Sequence, residues 1–175
     1  MDQAIKNSFI AKGWDGHSAV LLVRGDQQTI ELFKDGESVS RMWPVSTGLA
    51  GFGNQDGSGC TPTGLHYISA CIGADAPLGA VFKGRKPTGE VVQSLPDSAT
   101  GDYITSRILR LAGLEEGVNL GGDVDSESRY IYIHGTPYHG QLGQPVSAGC
   151  VRMANRDIID LFELVSVDTM VLILT

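Results

Sequence analysis

No apolar run in the sequence approaches the roughly 20 residues that a membrane-spanning helix needs. The last run, Met170 to Leu174, is strand length. Basic residues are outnumbered, 13 against 20 acidic ones, for a net charge of −7. That argues against a nucleic-acid partner, which needs a basic face for phosphates. An anionic small substrate would need local Arg or Lys. Cysteine is scarce, confined to Cys60, Cys71 and Cys150. An odd count does not read as a secreted disulfide framework. There is no CxxC pair and no HExxH, and Cys60, His66 and Cys71 leave a ligand missing, so no metal site is expected. The N-terminus has no basic stretch followed by an apolar one, so no secretory signal is expected if Met1 is the native start. No repeat and no linker interrupts the chain, which reads as one domain over residues 1–175.

What is abundant is glycine, 23 residues, with frequent turn signals between short apolar segments. Ala19 to Val23 is a continuous apolar run and reads as a strand, and Gln28 to Phe33 alternates as a second. Asp35-Gly36 is a hairpin signal. Ser38 to Thr47 reads as a third strand and Leu65 to Ala70 as a fourth. Residues 72–99, rich in Gly, Pro, Ala and Asp, form a long excursion with a basic cluster at Lys83, Arg85 and Lys86. Loops this long in a compact domain are often functional. Residues 103–114 have helical spacing at Ile104, Ile108, Leu109 and Leu111. Tyr130 to Ile133 reads as a strand. Asn155 is placed to cap a helix whose apolar face is Ile158, Ile159, Leu161, Phe162 and Val165. Met170 to Leu174 closes the chain as a strand. Strands outnumber helices and are joined by short turns, which predicts a mainly antiparallel β domain, sandwich-like or barrel-like, with one or two packed helices. Trp14 and Trp43 read as packing residues, His17 and His139 as solvated, and His66 as facing either the core or a pocket. Asp123 to Glu127 lacks the calcium-loop pattern and reads as a solvated loop.

The chemistry concentrates in Ile131-Tyr132-Ile133-His134-Gly135-Thr136 and Gly143-Gln144-Pro145-Val146-Ser147-Ala148-Gly149-Cys150-Val151-Arg152-Met153. A His ends a buried-looking strand, and a Cys follows a Ser and a Gly just ahead of a helix. A thiol attacks poorly until it loses its proton, which an adjacent imidazole can take. The Gly before the Cys suits a tight turn whose N–H groups converge on an oxyanion. Residue types alone also fit a buried thiol acting as a small hydrophobe and a satisfied polar His.

His-Gly-Thr, Gly-x-Pro and Ser-x-Gly-Cys-Val-Arg-Met resemble the catalytic domain of the L,D-transpeptidase (YkuD-like) family. Leu32 to Gly36, Pro44 to Gly48 and Thr61 to Gly64 resemble its N-terminal half in the same order, so the likeness spans about residues 18–174. Ala148 departs from the pattern where many members have His, which leaves His134 as the base. The resemblance implies Cys150 as nucleophile and His134 as general base and acid. It implies that the Gly135 carbonyl orients the imidazole and that the Gly149 and Cys150 amides form the oxyanion hole. Ser147 and Arg152 match the motif as substrate-binding residues. Arg152 would hold a carboxylate, or else a structural ion pair. The implied reaction cleaves the diamino acid–D-alanine bond of peptidoglycan stems through a thioester, without a cofactor. Water as acceptor gives L,D-carboxypeptidation of muropeptides, the favoured outcome. An amine gives cell-wall crosslinks, and a silent wall-binding module is the remote alternative. Carbapenem-type β-lactams are the implied inhibitors. The expected location is the cytoplasm if Met1 is native, and the periplasm or cell wall if a leader has been removed.

Overall fold

The computed structural model describes residues 1–35, 40–96, 98 and 101–175. The expected Asp35-Gly36 turn and the start of the third strand at Ser38 fall partly or wholly outside the described residues. Helix α1 (Gln3–Ile10) begins at Asp2, whose carboxylate accepts the Ile5 N–H at 2.9 Å. Among the described residues ten strands follow: β1 (Val20–Arg24), β2 (Thr29–Phe33), β3 (Arg41–Pro44), β4 (Gly64–Ile72), β5 (Ala80–Lys83), β6 (Lys86–Val91), β7 (Ile104–Gly113), β8 (Tyr132–Thr136), β9 (Val151–Ala154) and β10 (Met170–Leu174). Helix α2 (Asn155–Phe162) sits between the last two. All ten strands form one sheet, ordered β3-β2-β1-β10-β4-β7-β5-β6, with β8 added to β7 and β9 to β8. Pairing is antiparallel except at β1–β10 and β8–β9. The domain is mainly β, as its turn signals predicted.

The continuous apolar run of β1 follows from burial on both faces. Val20 and Leu22 meet Ile5, Phe9 and Trp14 beneath α1. Leu21 and Val23 meet the main core, which includes Ile133, Val151, Met153, Ile158 and Leu161. Trp43 belongs to that core too, so both tryptophans are packing residues.

The helix expected over 103–114 is the strand β7. Its register shifts between Thr105 and Ile108, where Ser106 adopts φ +64°. The bulge resets the alternation, and both faces are covered: Leu109 and Leu111 enter the main core, Ile108 a second cluster with Phe82 and Tyr132. A strand buried on both sides with one bulge mimics helical spacing. Other boundaries differ too. β3 begins at Arg41, and β8 begins at Tyr132 because Tyr130 turns the chain at φ +57°. Asn155 is the first residue of α2, not its cap; Ala154 holds the cap position.

Candidate active site

Strands β8 and β9 run parallel, with Ile133 opposite Val151 and His134 opposite Arg152. Side chains alternate along each strand. Ile133 and Val151 point into the core, so Tyr132, His134, Cys150 and Arg152 share the other face. The diagonal neighbours Cys150 and His134 are thereby brought together from separate parts of the sequence.

The turn before Cys150 is held from three sides. Ser147 Oγ donates to the Cys150 carbonyl at 2.6 Å and accepts the Gly149 N–H at 3.1 Å. Thr61 Oγ1 donates to the Gly149 carbonyl at 2.8 Å. The Ser147 N–H donates to Thr47 O and the Leu49 N–H to Ser147 O, both at 2.9 Å. The three early segments that resemble the family thus include the cradle of this turn. Gly149 has φ +126°, and a Cβ there would come within 3.1 Å of the Cys60 carbonyl, so both conformation and space call for glycine. The Ser147 hydroxyl is buried and spent inside the turn, which makes it a positioning group and not the substrate contact expected of it. The Gly149 amide is likewise taken. Among the described residues the Cys150 N–H has no acceptor, so it is the better oxyanion donor of the two expected.

His134 is buried, and its Nδ1 lies 2.8 Å from the Gly135 carbonyl. A carbonyl only accepts, so Nδ1 carries the proton and Nε2 keeps its lone pair. Gly135 admits no side chain: a Cβ would meet Thr105 O at 2.4 Å and Asn155 Oδ1 at 2.8 Å. Burial lowers the His134 pKa, opposed by the Gly135 bond. Burial pushes the Cys150 thiol up to about 12, opposed by the Tyr132 N–H. The resting pair is therefore neutral thiol and neutral imidazole. Sγ accepts from Tyr132 N at 3.4 Å and donates to Tyr130 O at 3.5 Å, and it makes no hydrogen bond to His134. Proton transfer to Nε2 requires it to leave these contacts.

Arg152 is buried and its Nη2 lies 2.7 Å from Asp102 Oδ1, so the ion pair that was one of its two readings is formed. Asp102 is half exposed and lines a cleft of about 440 Å³ with Gly84, Arg85, Ile104, Tyr130, Tyr132 and Cys150. Asp102, Tyr130 and Tyr132 were missed in the sequence. The period-two spacing of both tyrosines before His134 was the available signal. Arg129, also missed, donates to the Asn54 and Cys60 carbonyls at 2.9 and 2.8 Å and ties down the neighbouring loop.

Other candidates lie elsewhere. His66 is fully buried between Gly64 O and Ser126 Oγ, at 3.0 and 2.8 Å, which is the core reading of its two. Ser126 is buried too, so the acidic run around it is not simply solvated. Cys60 and Cys71 are free, half-buried thiols. Among the described residues no group of three or more His, Cys, Asp or Glu is placed to hold a metal, and no helix is long and apolar enough to cross a membrane.

The site thus places a histidine on β8 beside a cysteine in the turn that enters the parallel strand β9, within a forked, mainly β sheet. The sequence model of the L,D-transpeptidase catalytic domain matches residues 18–173, and the chain belongs to that family. Its fold is similar to an L,D-transpeptidase from Mycobacterium smegmatis, 19% identical, with 90% of this chain and 59% of that one covered and a TM-score of 0.53. It is similar to L,D-transpeptidase 3 from Mycobacterium tuberculosis in complex with a faropenem-derived adduct, 17% identical, covering 90% and 60% at a TM-score of 0.54. An L,D-transpeptidase (residues 123–326) from Xylanimonas cellulosilytica is 16% identical, covering 99% and 70% at a TM-score of 0.52. The chain thus spans about three fifths of the length of the first two. No curated protein matches the sequence.

Proposed function

We propose that this protein is a cysteine acyl-transfer enzyme that cleaves the diamino acid–D-alanine bond of peptidoglycan stems, with water as its main acceptor. The observation that carries the reading is the shared face of Cys150 and His134, with the imidazole oriented by Gly135 O. The thiol proton passes to Nε2 as Sγ attacks the carbonyl of the diamino acid. The oxyanion is met by the Cys150 N–H. The C–N bond breaks, D-alanine leaves with the proton held by His134, and a Cys150 thioester remains. His134 then takes a proton from water, hydroxide adds to the thioester, and the tripeptide and free thiol are released. Hydrolysis needs no group beyond those already used, and the exposed Asp102 side of the cleft admits water.

Crosslinking by an amine acceptor is the second reading. The observation favouring it is a neighbouring cleft of about 380 Å³, lined by Phe82, Lys83, Gly101 and Tyr103, that shares Asp102 with the first. Mass spectrometry after incubation with disaccharide tetrapeptide decides between them. Hydrolysis releases disaccharide tripeptide and D-alanine, with dimer minor even at high substrate. Dominant dimer replaces the hydrolytic reading by the crosslinking one. No change in the stem rejects both.

A further inference from the structure

The basic cluster of residues 83–86 divides into unequal parts. β5 and β6 are joined by the two-residue turn Gly84–Arg85, closed by the Lys83–Lys86 pair. Both turn residues are left-handed, Gly84 at φ +55° and Arg85 at φ +65°. Such turns favour Gly, Asn or Asp, and a long side chain at the second position is retained against local preference. Lys83 and Lys86 are exposed, whereas Arg85 is half-buried. Its Nη1 donates to Tyr132 Oη at 3.0 Å, and its guanidinium lies over the Tyr130 ring, 5.3 Å from the centroid. The same two tyrosines hold the nucleophile, through Tyr132 N–H and Tyr130 O on Cys150 Sγ.

Arg85 is therefore held by the two tyrosines on the wall of the cleft that Cys150 lines. Among the described residues no carboxylate pairs with it. The other charge on the cleft, Asp102, is already bound by Arg152 at 2.7 Å. A guanidinium has five donors, and one hydrogen bond to a phenol leaves most of them open. An unpaired, preoriented fork of this kind suits a carboxylate. In a chain of net charge −7, an anionic ligand needs such a local cation to be held at all.

Building on the acyl-transfer reading, we infer that Arg85 binds the terminal carboxylate of the residue that leaves, and so selects stems that end in a free acid. That carboxylate stands only a nitrogen and one α-carbon away from the scissile carbonyl. With the carbonyl at Sγ, it extends toward the tyrosine-held guanidinium. Arg85 is a specificity-determining residue here, and Tyr132 a positioning one.

The test uses two tetrapeptide stems with lysine as the diamino acid and isoglutamine before it, so that the terminal group is the only variable charge. One ends in D-alanine, the other in D-alaninamide. Wild-type enzyme should cleave the acid with a KM roughly tenfold below that of the amide, the size of one charge-assisted contact. Arg85→Gln should raise KM for the acid toward that of the amide, so that the ratio of the two falls to about one. Arg85→Lys should restore part of the preference, and Tyr132→Phe should weaken it. Lys83→Gln with Lys86→Gln should keep it. A wild-type enzyme indifferent to amidation, or an Arg85→Gln enzyme that still prefers the acid, overturns the inference while the acyl-transfer reading stands. Cleavage of neither stem by an enzyme that also leaves disaccharide tetrapeptide intact overturns both.

Discussion

At the scale of single residues, burial keeps the thiol and the imidazole neutral, and the proposed reaction relies on their shared face. Cys150 resists ionisation on its own, with its pKa pushed up to about 12, so in the proposed reaction its reactivity depends on His134 accepting the proton during attack. A carbapenem carries a strained amide that the same attack opens. Incubation with a carbapenem should raise the intact mass by one drug molecule in the wild type and not in Cys150→Ala, which also loses turnover. Peptide mapping that places the adduct on Cys60 or Cys71 would remove Cys150 from its role. The Cys150 and His134 positions were legible because their types and flanking glycines are a local pattern. Arg152 was legible as a charged motif residue, but its partner Asp102 was not, because an ion pair across the fold leaves no mark in either neighbourhood.

At the scale of elements, the site depends on the junction between β7 and α2. Asn155 Oδ1 accepts from Thr105 Oγ1 and Ser106 Oγ, both at 2.6 Å, and its Nδ2 donates to Gln93 O at 3.0 Å. These bonds hold the β7 bulge, with Ser106 in its left-handed conformation, against the start of the helix. Thr105 in turn lies opposite Gly135, the residue that orients the imidazole. Asn155→Ala should leave the buried O–H donors of Thr105 and Ser106 without their acceptor and cost about 2–4 kcal/mol in urea denaturation. It should also lower kcat more than it raises KM, since what loosens is the base and not the cleft wall. A variant with unchanged stability and kinetics would show that the junction does not support the site. The sequence suggested Asn155 as a helix cap, a local role that Asn fills often. Its observed role needs a strand 50 residues away, and the misread helical spacing of that strand concealed it.

At the scale of the whole molecule, the buried histidines link folding to pH. Burial lowers the pKa of His66 from 6.5 to about 4, and that of His134 in the same direction. The unfolded chain takes up these protons near pH 6.5 and the folded one does not. Stability is therefore complete above about pH 6.5 and is lost as pH falls from there toward 4, by on the order of 3 kcal/mol for His66. Urea titrations at pH about 7 and about 5 should show a lower midpoint at the acid value. His66→Gln should reduce that difference even if it lowers both midpoints. An equal or larger difference in the variant would assign the acid loss to other groups.

What the sequence by itself determined is what neighbours in the chain can enforce: the turns, the apolar strands, the glycines at 135 and 149 and the nucleophile motif. The periodicities of 2 and 3.6 are local signals, and they fail where burial covers both faces and a bulge shifts the phase, as in β7. The tertiary structure alone decided that Ser147 serves the turn, that Arg152 is paired with Asp102, and that Arg85 stands over the nucleophile's cleft while its basic neighbours do not. Each of these is a contact between segments far apart in the chain, set by the order in which ten strands join one sheet, and no local pattern encodes that order.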